Sequence, residues 1–176
     1  MSELIVVTGP PGAGKSTLAA ELVTRFEPSA LVAGDEFFAF VRGGYLDPWT
    51  SEAHAQNDVV TAAAGAATGR FVAGGYTVVY DGVIGPWFLP TFAEGTGLQR
   101  LHYVMLLPPE DVCLERVRTR PGHGFRDLEA AAHMYREFES ASIARRHVLS
   151  GADDVEDNVS EVLRRIAASE TLWQAR

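Results

Sequence analysis

Gly9-Pro10-Pro11-Gly12-Ala13-Gly14-Lys15-Ser16, followed by Thr17, fits G-x-x-x-x-G-K-[ST], the phosphate-binding loop known as Walker A. Its flanks fit as well. Leu4-Ile5-Val6-Val7-Thr8 is a short, continuous apolar run, as expected of a strand buried on both faces. Thr17-Leu18-Ala19-Ala20-Glu21-Leu22-Val23 has apolar residues at helical spacing. The chemistry needs this order of strand, glycine loop and helix. Glycines let the backbone wrap closely around a phosphate with its N–H groups pointing inward. The helix start adds unpaired donors and a partial positive charge. In that arrangement Lys15 bridges the β- and γ-phosphates and the Ser16 hydroxyl ligates Mg²⁺. The alternative is a glycine turn that merely precedes a helix. Against it, Lys15 is the only lysine among 15 Lys and Arg residues, and it stands at the motif position.

Outward from the loop, strand and helix patterns alternate. Ala30-Leu31-Val32-Ala33 reads as a second strand ending at Gly34-Asp35-Glu36. Phe37-Phe38-Ala39-Phe40-Val41 suggests a short helix, followed by a turn-rich loop over 43–49. Thr50 or Ser51 can cap a long helix that runs to about Ala73, where Gly74-Gly75 stops it. Tyr76-Thr77-Val78-Val79-Tyr80 is a third strand, ending at Asp81-Gly82. A weak helical pattern from Pro86-Trp87 reaches about Ala93. Residues 101–107 form a fourth strand, 110–120 a helix, and 128 to about 144 another. His147-Val148-Leu149 is a short fifth strand, and 155 to about 168 a last amphipathic helix. Such alternation implies an α/β fold with a mainly parallel sheet and helices on both faces.

Composition sets bounds. A length of 176 residues suits a single domain with its own core. A formal net charge of -8 argues against a general nucleic-acid or anionic-membrane binder. Cys113 is the only cysteine and lies in a helical pattern, so no internal disulfide or cysteine-based metal site is expected. No apolar run is long enough to span a membrane, and a cytoplasmic location, where ATP is available, is the expectation.

Functional residues in open parallel sheets sit at the carboxyl ends of the strands, and three polar sites fall there. The phosphate loop is the first, with Gly9 to Thr17 as nucleotide-binding residues. Asp35 is the second; it can orient an acceptor hydroxyl and take its proton, or it can cap a helix. Asp81 is the third, an acid closing an apolar strand, suited to Mg²⁺ or substrate, or to a turn with Gly82. A further cluster is Arg116-Val117-Arg118-Thr119-Arg120, with Arg126 after the Pro-Gly-His-Gly loop. Arg120 and Arg126 can close over a transferring phosphate, and Arg116 can stack on adenine. The opposing reading is a solvated face, or salt bridges from Glu115 to Arg118 or Arg120. Phe37, Phe38, Tyr45, Trp49, His54, Asn57 and Trp87 are candidates for an acceptor pocket, or for plain packing.

With those residues in place, the chain resembles the P-loop small-molecule kinases, a group that includes nucleoside-monophosphate, shikimate and gluconate kinases and chloramphenicol phosphotransferase. The likeness covers nearly the whole chain in element order. It implies the P-loop NTPase fold, with a five-stranded parallel sheet of order 2-3-1-4-5. It implies that Asp35 matches the acceptor-side base of shikimate kinase and chloramphenicol phosphotransferase. It also implies that Arg116 and Arg120 match the arginine pair, four apart, flanking adenine and phosphates. Two features depart from the pattern: no second acid stands two residues after Asp35, and the lid is short. An Asn-Lys-x-Asp guanine pattern is absent.

The expectation is one kinase-like domain over 1–176, with an acceptor-binding segment at about 36–73 and a lid at about 118–127. It transfers the γ-phosphate of ATP, with Mg²⁺, to a hydroxyl of a small molecule: an antibiotic, a sugar acid, or a nucleoside or nucleotide. The expected metal residues are Ser16 and Asp81, and the expected state is a monomer or homodimer. The competing classes are a non-catalytic nucleotide-binding regulator and, less favoured by the acidic charge, a nucleic-acid 5′-end kinase.

Overall fold

The unbroken apolar run Leu4–Thr8 forms strand β1, buried at every position because parallel neighbours pair with it on both edges. Those neighbours are β3 (Thr77–Asp81) and β4 (Arg100–Leu106). Strand β2 (Ser29–Ala33) pairs with β3, and β5 (Val148–Leu149) with β4. The parallel order is therefore β2-β3-β1-β4-β5, as the resemblance implies. The computed structural model describes residues 2–119, 125–151 and 154–175.

A sixth strand, β6 (Leu172–Gln174), is absent from the sequence reading. It runs antiparallel to the start of β4, with Leu101 opposite Trp173, while β5 pairs with the end of β4 at Met105 and Leu106. The two short strands share one edge of β4, end to end. Trp173 packs against the apolar layer beneath them.

Side-chain alternation along β1 sends Leu4 and Val6 to one face and Ile5 and Val7 to the other. The second face is covered by α1 (Lys15–Leu22) and α6 (Val155–Ala167) through Leu18, Leu22, Val159 and Val162. On the first face lie α2 (His54–Ala73) and α3 (Leu89–Thr96), with Ala64, Leu89 and Phe92 in the core. These two helices touch backbone to backbone: a β-carbon on Gly69 would overlap the Thr96 carbonyl. Helix α4 (Glu110–Thr119) buries Cys113 and Val117, and α5 (Leu128–Ser140) places Tyr135 in one core layer and Phe138 in the other. Among the described residues no helix is long and apolar enough to cross a membrane.

Three local expectations need correction. Residues 34–40 form a 3-10 helix, displaced from the helix expected over 37–41. The long helix is not capped by Thr50 or Ser51: the Thr50 hydroxyl donates to Asp47 O at 2.9 Å, and a 3-10 turn, Ser51–Ala53, leads into α2. Helix α5 ends at Ser140 rather than near 144, because Ala141 is extended and Ile143 turns in to pack against the core.

Candidate active site

Strands β1, β2 and β3 end level, since Asp81 is in register with both Val7 and Ala33. The phosphate loop, Asp35 and Asp81 therefore meet at one edge of the sheet, as the topology requires. The loop bends through left-handed glycines and then enters α1 directly at Lys15. Gly12 lies on the backbone of α4, with no room for a β-carbon against the Cys113 carbonyl. The Lys15 ammonium is buried and donates to Pro10 O at 3.1 Å, and Ala13 N donates to the same oxygen at 3.2 Å.

A cavity of about 530 Å³ opens beside the loop. Pro11, Gly12, Lys15 and Ser16 form one wall, with Asp35 beside them. Of the residues expected to meet an acceptor, Phe38, Tyr45, Trp49, His54, Asn57 and Trp87 all line it. Phe37 does not; it packs against the core and edge-on against Phe40. The loop over 43–50 is held by α2: Gln56 exchanges hydrogen bonds of 2.8 and 2.7 Å with Leu46, and Asn57 Nδ2 donates to Pro48 O at 2.7 Å. Opposite, Thr8 and Ile84 exchange hydrogen bonds of 3.1 and 2.9 Å, and Tyr103 donates to Ile84 O at 2.8 Å. That clamp ties the segment bearing Val83, Trp87 and Phe88 to β1.

A second cavity, of about 680 Å³, lies on the far side of the loop. Gly12, Lys15 and Ser16 line both cavities. Arg116 and Thr119 line the second, whereas Val117 lines the first, so α4 stands between them. Arg116 reaches Gly12 O at 3.4 Å, and Pro108, Gly151 and Asn158 complete the far wall. Arg118 turns away and pairs with Glu115 through bonds of 2.7–3.0 Å, the salt bridge weighed from the sequence. Arg126 is exposed and lines neither cavity. Arg120, with residues 121–124 of the expected lid, lies outside the described residues. Asp81 ends β3 half-buried and also lines neither cavity.

Electrostatics at the strand ends are negative. Burial pushes the Tyr80 phenol up, and the charges of Asp35 and Asp81 add to it. Tyr45 is raised by burial first, then by Asp47 and Asp35. Under the loop, burial raises the Cys113 thiol, with Arg116 and Lys15 pulling the other way.

Several wall residues are missing from the sequence reading. Phe125 meets Trp49 edge-on at 4.8 Å between centroids, and Phe88 stacks on His54 at 5.3 Å. His133, Met134 and Glu137 come from α5. The spacing of His133 and Glu137, one helical turn apart beside an apolar residue, was the available signal.

A family model described as an AAA domain, AAA_33, matches residues 4–141. No curated protein matches the chain. Among solved structures it is similar to the tunicamycin resistance protein of Deinococcus radiodurans, with a TM-score of 0.70 and 19% identity over 100% of this chain and 99% of that one. It is similar to a gluconokinase from Sinorhizobium meliloti 1021, with TM-score 0.65 and 20% identity over 96% and 93%. A shikimate kinase from Acinetobacter baumannii, in complex with shikimate, gives TM-score 0.59 and 18% identity over 96% and 95%. At these identities the likeness establishes a shared fold.

Proposed function

The chain belongs to the AAA_33 family of AAA domains and has the fold of the P-loop small-molecule kinases; on that premise we propose that it is an ATP- and Mg²⁺-dependent phosphotransferase acting on a hydroxyl of a small molecule. The observation that carries this reading is the shared wall. Gly12, Lys15 and Ser16 border both cavities, and Asp35 borders the first alone. A nucleotide in the second cavity would present its terminal phosphate, across the loop, to an acceptor in the first.

Each residue then has a role. The loop amides and Lys15 hold the phosphates and keep them in line with the acceptor. Arg116 lies on the nucleotide side, where its guanidinium can stack on the base. Asp35 accepts the proton of the acceptor hydroxyl as its oxygen bonds to the γ-phosphorus and the bond from that phosphorus to the β–γ bridging oxygen breaks, releasing ADP. The sequence assigns Arg120 to neutralising charge on the transferring group; Arg126, exposed and outside both cavities, would have to move inward to share that role.

The donor set suits Mg²⁺. Ser16 lies on the wall shared by both cavities, beside the loop that would hold the phosphates. Ser16 would hold Mg²⁺ through its hydroxyl oxygen, with Asp81 outside it, a set that suits a cation bound by few protein oxygens. When bound, it neutralises charge building on the phosphate oxygens. The protein works in the cytoplasm, where ATP is available.

A screen of ATP consumption over metabolites and antibiotics tests the reading. Asp35→Asn should preserve nucleotide binding while slowing transfer by about 10²–10⁴. Transfer at the wild-type rate removes Asp35 as the base. Lys15→Ala should lose both binding and turnover; undiminished ATP binding would refute the loop assignment.

A further inference from the structure

The first cavity has surfaces of two kinds. Aromatic rings enter it from several segments, through Phe38, Trp49, Trp87, Phe88 and Phe125. Helix α2 and the turn before it contribute Ser51, His54, Asn57 and Thr61, all of them polar. His54, Asn57 and Thr61 stand three and four residues apart. They therefore share one face of α2 and follow one another at about 4.5 and 6 Å along its axis. Asn57 and Thr61 are buried, at 8% and 5% exposure. Burial strips both side chains of water, so packing alone gives no reason for polar groups at these positions.

Asn57 shows what is missing. Its Nδ2 donates to Pro48 O at 2.7 Å, which orients the amide, because only the NH₂ group can donate to a carbonyl. Its Oδ1 is closed to solvent and has no hydrogen-bond partner. Among the described residues no other buried side-chain nitrogen or oxygen is left so. This oxygen has neither water nor a protein donor, and a buried acceptor in that state calls for a donor. A hydroxyl seated against α2 supplies one.

We propose that the acceptor is a polyhydroxylated molecule recognised by α2, and that Asn57 is the residue that selects it. One hydroxyl lies at Asp35 for phosphorylation, a second donates to Asn57 Oδ1, and Thr61, one turn further on, meets a third. The aromatic rings take the C–H faces of the same molecule. This narrows the phosphotransferase reading, on which it rests. Molecules with several hydroxyls fit; alcohols with a single hydrogen-bonding group do not. Because Oδ1 is closed in the free protein, its donor is admitted by a local shift of the wall, beside the Pro48 carbonyl that Asn57 holds.

Binding can be read without turnover. Trp49 directly follows Pro48, and Trp87 also lines the cavity, so occupation changes intrinsic fluorescence. The probes are phenyl β-D-glucopyranoside and 2-phenoxytetrahydropyran, which share both rings and the acetal and differ in the hydroxyl groups. The glucoside should bind the wild type at least about tenfold more tightly. Asn57→Ala should cut that preference by at least about threefold, and Thr61→Val, close to threonine in shape, should cut it as well. Gln56→Ala is the structural control. It removes the bonds to Leu46 and loosens the same loop, but Gln56 lines neither cavity, so both probes should weaken together with the preference intact. Equal binding of the two probes, or no glucoside binding at millimolar concentration, overturns the proposal. So does a preference unmoved by Asn57→Ala or, should that variant not fold, by Thr61→Val, and so does a preference lost equally in Gln56→Ala. ADP release after adding ATP and Mg²⁺ is scored separately. An Asn57-dependent preference without phosphorylation of any polyol sinks the phosphotransferase reading and leaves the recognition by α2 standing. Phosphorylation of an acceptor with a single hydrogen-bonding group does the reverse.

Discussion

Replacing Gly12 with alanine tests how the phosphate loop is held. Gly12 has φ +79°, and a β-carbon there would overlap the Cys113 carbonyl oxygen and lie 2.9 Å from its carbon and 3.1 Å from its Cα. All three are backbone atoms of a packed helix, so no side chain can rotate aside. Two costs add. A non-glycine residue in the left-handed region costs about 1–2 kcal/mol. Relieving overlap in a packed interior costs about 1–3 kcal/mol more. Gly44→Ala separates the two, because Gly44 has φ +70° with nothing within 4 Å. Gly44→Ala should therefore lose only the first, and Gly12→Ala about 2–5 kcal/mol in all. For a chain of this length 1 kcal/mol moves Tm by roughly 2–4 °C, so the two variants should melt about 2–12 °C apart. Thermal unfolding followed by circular dichroism measures the gap. A non-hydrolysable ATP analogue with Mg²⁺ adds the functional half: at a hundred times Kd a ligand stabilises by about 2.7 kcal/mol. Gly44→Ala should keep that shift and Gly12→Ala should lose most of it. Equal melting temperatures refute the close packing of loop on α4. A full nucleotide shift in Gly12→Ala refutes the loop as the phosphate cradle.

Other consequences are simpler to check. Arg116→Ala removes the guanidinium beside Gly12 and should weaken ATP binding, measured by calorimetry, by about tenfold, with Arg118→Ala as the neutral control. Lowering pH should destabilise the fold below 6.5, because burial holds His147 and His102 below that ordinary value. The unfolded chain takes up protons there that the folded imidazoles refuse, so stability present above 6.5 is lost as pH falls; a urea midpoint that rises on acidification contradicts this. Trp173→Ala should cost about 1–3 kcal/mol in urea unfolding while leaving ATP affinity unchanged, since Trp173 packs under β4 far along the chain from the loop.

The contrast between what sequence reading reached and what it missed follows from how far apart the cooperating residues lie. The phosphate loop is contiguous, and each of its requirements is local: an apolar strand before it, glycines where the backbone turns, a lysine at the helix start. Asp35 was reachable by topology, because parallel strands end level and present their next residues at the same edge. Strand β6 was not reachable. Three residues carry no readable period, and they become a strand only because the edge of β4 beyond β5 offers unpaired backbone groups. The wall of the first cavity was legible only in part. Trp49, His54 and Asn57 are close in sequence, but their geometry depends on Gln56 and Asn57 binding the preceding loop. Phe125, His133 and Glu137 come from beyond β4, and only packing of α5 against the 108–109 turn, where Tyr135 donates to Pro108 O at 2.9 Å, brings them across the cavity. The phosphate-loop motif is therefore contained within nine residues, whereas the wall of the first cavity is distributed over segments that meet only in the fold. The net charge of the chain, at -8, carries none of this information, because it counts charges without saying which of them the fold brings to the cavity.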